Sequence, residues 1–308
     1  MVTVMTRQST RVLSVDAHLL GVLAEGVGQI RVHSVFRRVV TLETPAGQLL
    51  SLCGRELDDA PWSLRAECDD WAAWAIPAGA AAITTADAIT LPRGPRISLT
   101  GARVWSATVA PITADLAQLT GRAHALAAVI RQAGVPGGAL PGPAPDPFAA
   151  AVAQRVSAGL AGIVTAELAD RADDVERAAA SLLGLGPGLT PAGDDALTGM
   201  ALVLAQPGSL ATTVLPAIRR ALVRRGQRTT DLSRATLWAA VAGRGRQRVL
   251  DLVHTLVSLD DADPLLLRER AERVIAMGHT SGTDTASGVL AGIELEIQRR
   301  GSACLSPQ

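Results

Sequence analysis

The chain has 308 residues, of which 48% are hydrophobic and 19% charged, and its 29 basic and 29 acidic residues cancel to a formal net charge of zero. This composition is typical of a globular protein with room for two domains, and it excludes an intrinsically disordered chain. With no basic excess, two Phe, five Trp and no Tyr, the sequence gives no sign of nucleic-acid binding.

The residue types that are missing restrict the chemistry. Every basic residue is arginine, so Schiff-base chemistry and a lysine-containing phosphate loop are excluded. A general acid or base must come from Asp, Glu, His or Cys. Cys53, Cys68 and Cys304 lack metal-ligand spacing and indicate a reducing compartment. Residues 1–11 contain no apolar signal core, so we expect a cytoplasmic protein without a membrane span.

Residues 11 to about 110 are rich in strand signals. Alternation of apolar and polar residues predicts strands over 27–35, 39–44 and 48–52, with a hairpin turn at residues 45–47. Further strands are predicted over 81–85 and 97–109. We interpret four tryptophans as core or domain-interface residues, namely Trp62, Trp71, Trp74 and Trp105. The pattern predicts a compact barrel or sandwich over residues 1–110.

Helical spacing dominates the rest of the chain. Residues 111–147 hold one predicted helix, 115–132, followed by a linker rich in Pro and Gly, 135–147, that forms an extended connector or an ordered loop. Residues 148–308 are predicted to form a helical domain with helices at 148–169, 171–183, 192–206, 210–225, 230–242, 246–258, 264–277 and 283–299. The predicted fold class is α+β, a small N-terminal β-rich barrel or sandwich domain followed by a larger, mostly α-helical domain.

A loop pattern occurs twice in the helical domain. Residues 184–195 read GLGPGLTPAGDD, and residues 278–284 read GHTSGTD. Both contain a Gly-x-Asp triplet followed by another glycine, which matches Asp195 with Asp284 and Gly199 with Gly288. A pseudo-twofold meeting of the two helix N-termini would place two carboxylates and several amide donors around one cavity.

Helix capping is a second interpretation of these loops. Thr190 would be the N-cap, Pro191 the first helical residue, and the two acids after Gly193 would complement the helix dipole. Residues 281–284 have the form of a capping box. Capping alone does not require so many Gly and Pro residues before the helix, and these favour a backbone that approaches a ligand closely. Both interpretations remain open for each loop.

The functional interpretation assigns roles to the residues of both loops. The catalytic candidates are Asp195, Asp284 and the adjacent Asp194. The substrate-binding candidates in the two loops are Gly186, Gly188, Leu189, Thr190, Gly193, His279, Thr280, Ser281, Gly282 and Thr283. Amides and hydroxyls would hold carboxylate, phosphate or carbamoyl oxygens, while an Asp would accept from an amide N–H or act as a base. Two acids specify no metal, and we expect neither a metal nor a cofactor.

Two further pairs are candidates. Thr230 and Ser233 lie one turn apart at a predicted helix start and would either cap that helix or add hydroxyls to the same pocket. His33 and Ser34 would reach an interdomain cleft or belong to an ordinary strand. His279 has no partner that would complete a hydrolase triad with a nearby serine.

Residues 188–195, GLTPAGDD, followed by Gly199, resemble the signature G-L-T-P-[SA]-G-D-D-x-x-x-G of the AllH-like family. The resemblance extends to the His33–Phe36 strand, the Thr230 and Ser233 helix start, and the second loop, so it covers most of the chain. Ala192 stands where most members carry Ser, which removes one hydroxyl from the first loop.

The resemblance implies carbamoyl transfer in purine or allantoin nitrogen catabolism, in which oxamate and carbamoyl phosphate interconvert with oxalurate and phosphate. It also implies companion subunits. The residues by themselves agree on a small, planar, anionic substrate that bears an amide. Ordinary transcarbamoylases carry a Ser-x-Arg-Thr motif at a helix start, and its nearest match here, residues 9–11, lies in an N-terminus that we expect to lack regular structure.

The sequence thus predicts an enzyme, or a subunit of one, that acts on a carbamoyl or amide group, with carbamoyl phosphate as the candidate donor. One alternative is a non-catalytic scaffold or ligand-binding subunit of a larger complex. Another is a lone homologue that forms or cleaves a different amide-like bond. Alanine-rich helices of low charge favour a homo-oligomer, and no nucleic-acid or membrane partner is expected.

Overall fold

A computed structural model describes residues 9–25, 28–141, 146–259 and 263–305. The chain divides into two compact units, Met1–Ala107 and Thr108–Gln308. Residues 1–8, the 142–145 part of the predicted linker, and the Cys304 side chain lie outside what is described. The predicted fold class is confirmed, because a strand barrel precedes a helical domain. The predicted boundaries of a separate segment at 111–147 stay a prediction.

Nine strands and one α-helix make up the described part of the first unit. The strands are β1 (Ser9–Asp16), β2 (Gln29–Val35), β3 (Val39–Glu43), β4 (Leu49–Cys53), β5 (Ser63–Ala66), β6 (Ala81–Thr85), β7 (Ala88–Thr90), β8 (Arg96–Ser98) and β9 (Arg103–Trp105). Helix α1 (Ala17–Ala24) follows β1, and a 3₁₀ turn forms at Ala72–Trp74.

Strand β1 closes the sheet into a barrel. One of its edges pairs antiparallel with β5. Its other edge pairs in parallel first with β8, through residues 9–11, and then with β9, through residues 14–16. The hydrogen-bonded order is β5-β4-β3-β2-β6-β7-β8-β1-β9, so eight strands complete the ring. Closure pairs the strand edges that an open sheet would leave exposed.

The barrel core contains a helix that the sequence-based prediction missed. Leu19 and Leu23 of α1 are fully buried with the apolar side chains of the strands. The helix has only eight residues, too few for its period to stand out. Among the tryptophans predicted to be core, Trp71 is fully buried, and Trp62 and Trp74 pack partly buried against the core.

Two strand predictions are wrong in detail. The single strand predicted over 97–109 is interrupted by a turn at Gly101, whose φ of 76° suits glycine, so the chain forms β8 and β9 instead. Residues 9–11, expected to lack regular structure, begin β1. The short strands β5 and β7 were missed because three or four residues show too little alternation.

The second unit is built from helices, and every predicted helix is confirmed. They are α2 (Leu116–Ala133), α3 (Pro147–Leu168), α4 (Ala172–Leu182), α5 (Ala192–Leu204), α6 (Val214–Arg225), α7 (Asp231–Ala240), α8 (Gln247–Val257), α9 (Pro264–Ile275) and α10 (Ser281–Leu305). A 3₁₀ turn, Gly226–Arg228, follows α6.

Helix α3 is the one described helix that is long and apolar enough to cross a membrane by length and composition alone. A third of its most apolar window is buried, and the helix packs against α4, α5 and α10. Core helices of proteins without any membrane segment pass the same test, so this observation is weak evidence for a span.

Helices α5 and α10 touch backbone to backbone at the centre of the helical unit. Every residue of α5 is buried. A Cβ at Gly199 would lie 2.0 Å from the Thr285 carbonyl oxygen of α10, and a Cβ at Gly288 would lie 1.9 Å from the Ala196 carbonyl oxygen of α5. The contact is reciprocal, since each glycine meets the residue that follows the aspartate of the other triplet. The two copies of the motif are therefore related by a pseudo-twofold axis.

Candidate functional site at two Gly-x-Asp helix starts

The first loop, residues 184–191, brings free amide groups to the start of α5. Gly184, Gly186 and Gly188 all have positive φ. Among the described residues, the N–H groups of Gly186, Gly188 and Leu189 donate no hydrogen bond to the chain. Residues 187–189 are exposed. The loop therefore presents unused donors to solvent beside a helix N-terminus, where anions are stabilised.

Thr190 is not the N-cap of α5, contrary to the capping interpretation. Pro191 occupies that position, and its carbonyl oxygen accepts from the N–H groups of Asp194 and Asp195. The Thr190 hydroxyl instead lies 2.7 Å from the hydroxyl of Ser281, in the second loop. This contact joins the two copies of the motif directly.

Asp194 holds the first loop in place. Its side chain is fully buried and accepts hydrogen bonds from the Gly184 N–H, at 3.1 Å, and from the Thr229 hydroxyl. Burial raises the pKa of Asp194, and the hydrogen bonds from Thr229, Gly184 and Ser233 oppose that rise. Both carboxylate oxygens of Asp194 are therefore engaged by groups of the first loop and the segment before α7.

Asp195 lies in a different environment. Its Oδ2 atom is buried and has no hydrogen-bond partner among the described residues. Burial raises the pKa of Asp195 well above its ordinary value, and the charges of Asp284 and Asp194 raise it further. Hydrogen bonding by Ser281 and Thr190 acts in the opposite direction. Within the described part of the chain, Asp195 thus has a buried carboxyl oxygen without a partner, close to a second carboxyl group.

The second loop repeats the geometry of the first at the start of α10. A Cβ at Gly282 would lie 2.1 Å from the Val274 carbonyl oxygen at the end of α9. The equivalent Gly193 approaches the Leu182 carbonyl oxygen at the end of α4 in the same way, at 2.2 Å. The predicted capping box is wrong, because the Asp284 N–H donates to the Thr280 carbonyl and the Ser281 hydroxyl is engaged with Thr190.

Asp284 is fully buried, and one of its two carboxyl oxygens lacks a hydrogen-bond partner within the described ranges. Its Oδ1 accepts from the backbone N–H of Ala139 at 2.5 Å, whereas its Oδ2 has no partner among the described residues. Burial raises the pKa of Asp284, and hydrogen bonds from Ala139 and Thr280 oppose the rise. The two matched aspartates therefore each keep one buried oxygen without a donor.

A third segment, which we call the 134–141 loop, covers Asp284. A Cβ at Gly138 would lie 2.0 Å from Oδ1 and 2.5 Å from Oδ2, so only glycine fits there. The Val135 N–H donates to the Thr283 hydroxyl at 2.9 Å. Gly138 and Ala139 were missed as site residues, because the sequence presented this stretch as a linker. The adjacent glycines at 137 and 138 were the available signal.

Thr230 and Ser233 support the first loop. The Thr230 hydroxyl caps α7 by accepting from the Ser233 N–H at 3.1 Å. It also donates to the Leu189 carbonyl oxygen at 2.7 Å, and the Ser233 hydroxyl reaches the same oxygen at 3.4 Å. In this structure both hydroxyls fix the loop.

Four predicted site residues remain to be placed: His279, Thr280, His33 and Ser34. His279 is exposed, and Thr280 supplies the carbonyl and hydroxyl described above. His33 and Ser34 lie half-buried on β2, with His33 Nδ1 3.1 Å from Ser34 Oγ. Their part in any substrate site stays a prediction. No group of three or more His, Cys, Asp or Glu side chains suited to a metal occurs within the described ranges.

The site thus combines two kinds of recognition. Two buried carboxyl oxygens without a partner in the described part of the chain suit a ligand with hydrogen-bonding groups, since an unsatisfied buried polar atom is costly. The exposed amides of the first loop suit an oxyanion. A small planar molecule with an amide and an anionic group matches both.

Two family models match the chain. Residues 182–293, which contain both Gly-x-Asp helix starts, match the family described as oxamate carbamoyltransferase subunit AllH. Residues 11–104, which contain most of the barrel, match the AllH family N-terminal domain. Together the two matches cover most of the chain. This chain belongs to the AllH family.

The AllH match spans both loops. It begins at the last residue of α4 and runs through α5 to the Gly-containing part of α10 that crosses it. No solved structure matches the chain significantly. The placement of the AllH motif at a buried crossing of two helices therefore comes from this structure itself.

Proposed function

We propose that the chain is a subunit of a carbamoyltransferase of the oxamate type and that its paired helix starts bind the carbamoyl- or amide-bearing substrate. The observation that carries the proposal is the pair of buried oxygens, Asp195 Oδ2 and Asp284 Oδ2, that have no donor among the described residues. A carbamoyl or amide group suits both atoms, because its N–H groups donate to an ionised carboxylate and its carbonyl oxygen accepts from a protonated one.

The rest of the substrate is anionic in this proposal. Oxamate carries a carboxylate beside its amide, and carbamoyl phosphate carries a phosphate. The unused N–H groups of Gly186, Gly188 and Leu189 would hold that oxyanion at the start of α5. No arginine or metal is needed for this contact, because backbone amides and the helix dipole favour negative charge.

Companion subunits follow from the family description, which names a subunit. In the proposal, this chain supplies the pocket for the small substrate, and the companions complete the enzyme. A homo-oligomeric assembly of this chain is a further part of the proposal that only a measurement of its mass in solution can decide.

The test is carbamoyl transfer from carbamoyl phosphate to oxamate by the chain combined with its companion subunits. We expect Asp195→Ala and Asp284→Ala to lower kcat/KM by about 10- to 150-fold, since each loses a buried carboxyl contact worth roughly 1.5–3 kcal/mol. Asp173→Ala is the matched control, because Asp173 is an exposed acid on α4, and its activity should equal that of the wild type.

Calorimetry with the isolated chain separates catalysis from binding. Binding of oxamate that is lost in both aspartate variants supports the proposal. Full transfer activity in both variants would contradict it. Transfer that persists in an assembly lacking this chain would instead support the non-catalytic scaffold.

A further inference from the structure

The two matched aspartates are not equivalent, although the motif is duplicated. The residue before Asp195 is the acid Asp194, and the residue before Asp284 is Thr283. Asp195 therefore has one carboxyl group beside it on α5 and another across the helix contact, while Asp284 has only Asp195 as an acidic neighbour in the motif. Two like charges disfavour ionisation of the group between them.

Their hydrogen-bond partners also differ. Both have hydroxyl partners, Thr280 at Asp284 and Ser281 and Thr190 at Asp195, but Asp284 has a backbone N–H as well. Asp284 Oδ1 accepts from the backbone N–H of Ala139, and a backbone N–H can only donate. It therefore favours the ionised form of Asp284. Asp195 is approached by the hydroxyls of Ser281 and Thr190, which can either donate or accept. These partners tolerate a proton on Asp195.

Several charged groups near the pair have contacts elsewhere. The 134–141 loop has no titratable side chain, and His279 is exposed. Side chains on the helices packed against α5 that form such contacts are Glu167 with Arg299, Glu176 with Arg220 and Arg224, Asp231 with Arg234, Asp251 with Gln247, and Glu296 with Arg300.

We propose that Asp195 and Asp284 hold a single proton between them, carried by Asp195, so that the pair presents one donor and one acceptor to its ligand. Two buried carboxyls within electrostatic range cannot both be ionised at low cost. An O–H on Asp195 beside an ionised Asp284 is complementary to a primary amide, whose carbonyl oxygen accepts and whose N–H donates.

The assignment of the amide as ligand rests on the proposed function, whereas the position of the proton does not. In this arrangement Asp195 would donate to the carbonyl oxygen of the carbamoyl or oxamate group, and Asp284 would accept from its nitrogen. An ammonium ion or a metal cation would favour two ionised carboxylates instead, so the shared proton also selects neutral amides over cations.

The test is carboxyl-carbon NMR of the full chain labelled at aspartate, with signals assigned through Asp194→Asn, Asp195→Asn and Asp284→Asn. At pH 7 we expect Asp195 protonated and Asp284 ionised. Asp284→Asn should lower the titration midpoint of Asp195 clearly, whereas Asp195→Asn should shift that of Asp284 much less, because a protonated Asp195 carries no charge to remove. Finding both groups ionised at pH 7, or the proton on Asp284, would overturn the proposal.

Calorimetry with oxamate at pH 7 tests the ligand. Asparagine can still donate in place of a protonated Asp195 but cannot replace an ionised acceptor at 284. We therefore expect Asp284→Asn to weaken binding about tenfold more than Asp195→Asn, with Asp173→Asn unchanged. If the NMR titrations agree with expectation but oxamate does not bind, the amide assignment and the proposed function are overturned. The position of the proton on Asp195 would still stand.

Discussion

Asp194 and Asp195 are neighbours in sequence but serve different purposes, because adjacent positions on a helix point about 100° apart. Asp194 turns back to the first loop and accepts from Gly184 and Thr229. Asp195 turns toward α10 and keeps Oδ2 without a donor. Burial of a carboxyl group with one oxygen left without a partner among the described residues disfavours its ionised form, which gives Asp195 a measurable effect on stability.

That effect is a loss of stability with rising pH. Since burial raises the pKa of Asp195, the folded chain holds this proton more tightly than the unfolded chain does. Its contribution is fully present below about pH 4 and disappears as pH rises through the folded-state pKa, at ~1.4 kcal/mol for each unit of difference. We expect Asp195→Asn to abolish this part of the decline, as measured by urea unfolding at a series of pH values.

Asp173→Asn provides the reference for that series, because it removes an exposed acid from α4. The decline with rising pH that Asp195→Asn is expected to remove should remain in Asp173→Asn. The same decline in Asp195→Asn would show that Asp195 titrates alike in the folded and unfolded chains.

At the scale of elements, the crossing of α5 and α10 depends on glycines that a helix would normally disfavour. Glycine inside a helix costs about 1 kcal/mol relative to alanine. Gly199 and Gly288 are retained at the contact because any side chain there would collide with a carbonyl oxygen of the other helix. The close approach is what brings the two Gly-x-Asp starts together.

Replacing either glycine should therefore reverse the usual effect of alanine. We expect Gly199→Ala and Gly288→Ala each to lower the free energy of unfolding by about 1–3 kcal/mol through overpacking. Gly121→Ala on α2 is the matched control, because nothing lies within 4 Å of a Cβ there. It should raise stability by about 0.5–1 kcal/mol. Denaturant unfolding of the three variants measures both effects, and equal shifts in all three would contradict the contact.

The sequence predicted the helices of the second unit better than it predicted the contacts between residues. The nine helices described in the second unit follow from the spacing of Ala and Leu, because amphipathic periodicity is local information. The pairing of the loops was also predictable, since the motif is repeated. The role of Ala139 was not, because a backbone N–H that reaches Asp284 leaves no mark on residue type. Likewise, nothing local distinguishes Thr190 as an N-cap from Thr190 as a partner of Ser281.

At the scale of the whole molecule, each unit has its own core. The barrel is closed by β1, and its buried side chains form one cluster within the first unit. The helical unit is organised around a fully buried α5. Units that bury their own apolar side chains and pair their own backbone groups satisfy the requirements for independent folding.

We expect fragments 1–107 and 108–308, expressed separately, each to unfold cooperatively. The first should show strand-type circular dichroism and the second helical, and each should have a dispersed NMR spectrum. A fragment of 1–107 cut before β9, at residue 101, is the control, because it lacks the strand that pairs with residues 14–16 of β1. A disordered 108–308 fragment would show that the helical unit depends on the barrel.

The glycine contact between α5 and α10 also limits how the site can move. Gly199 and Gly288 lie four residues beyond Asp195 and Asp284. Each aspartate is therefore only ~6 Å along its helix from the glycine contact that joins α5 and α10. Because this distance is short, a change of ~10° in the crossing angle of the two helices shifts either aspartate by roughly 1 Å. If the site binds the proposed substrate, we expect the segments beside the helix starts, residues 134–141 and 228–233, to move on binding while the two aspartates keep their positions.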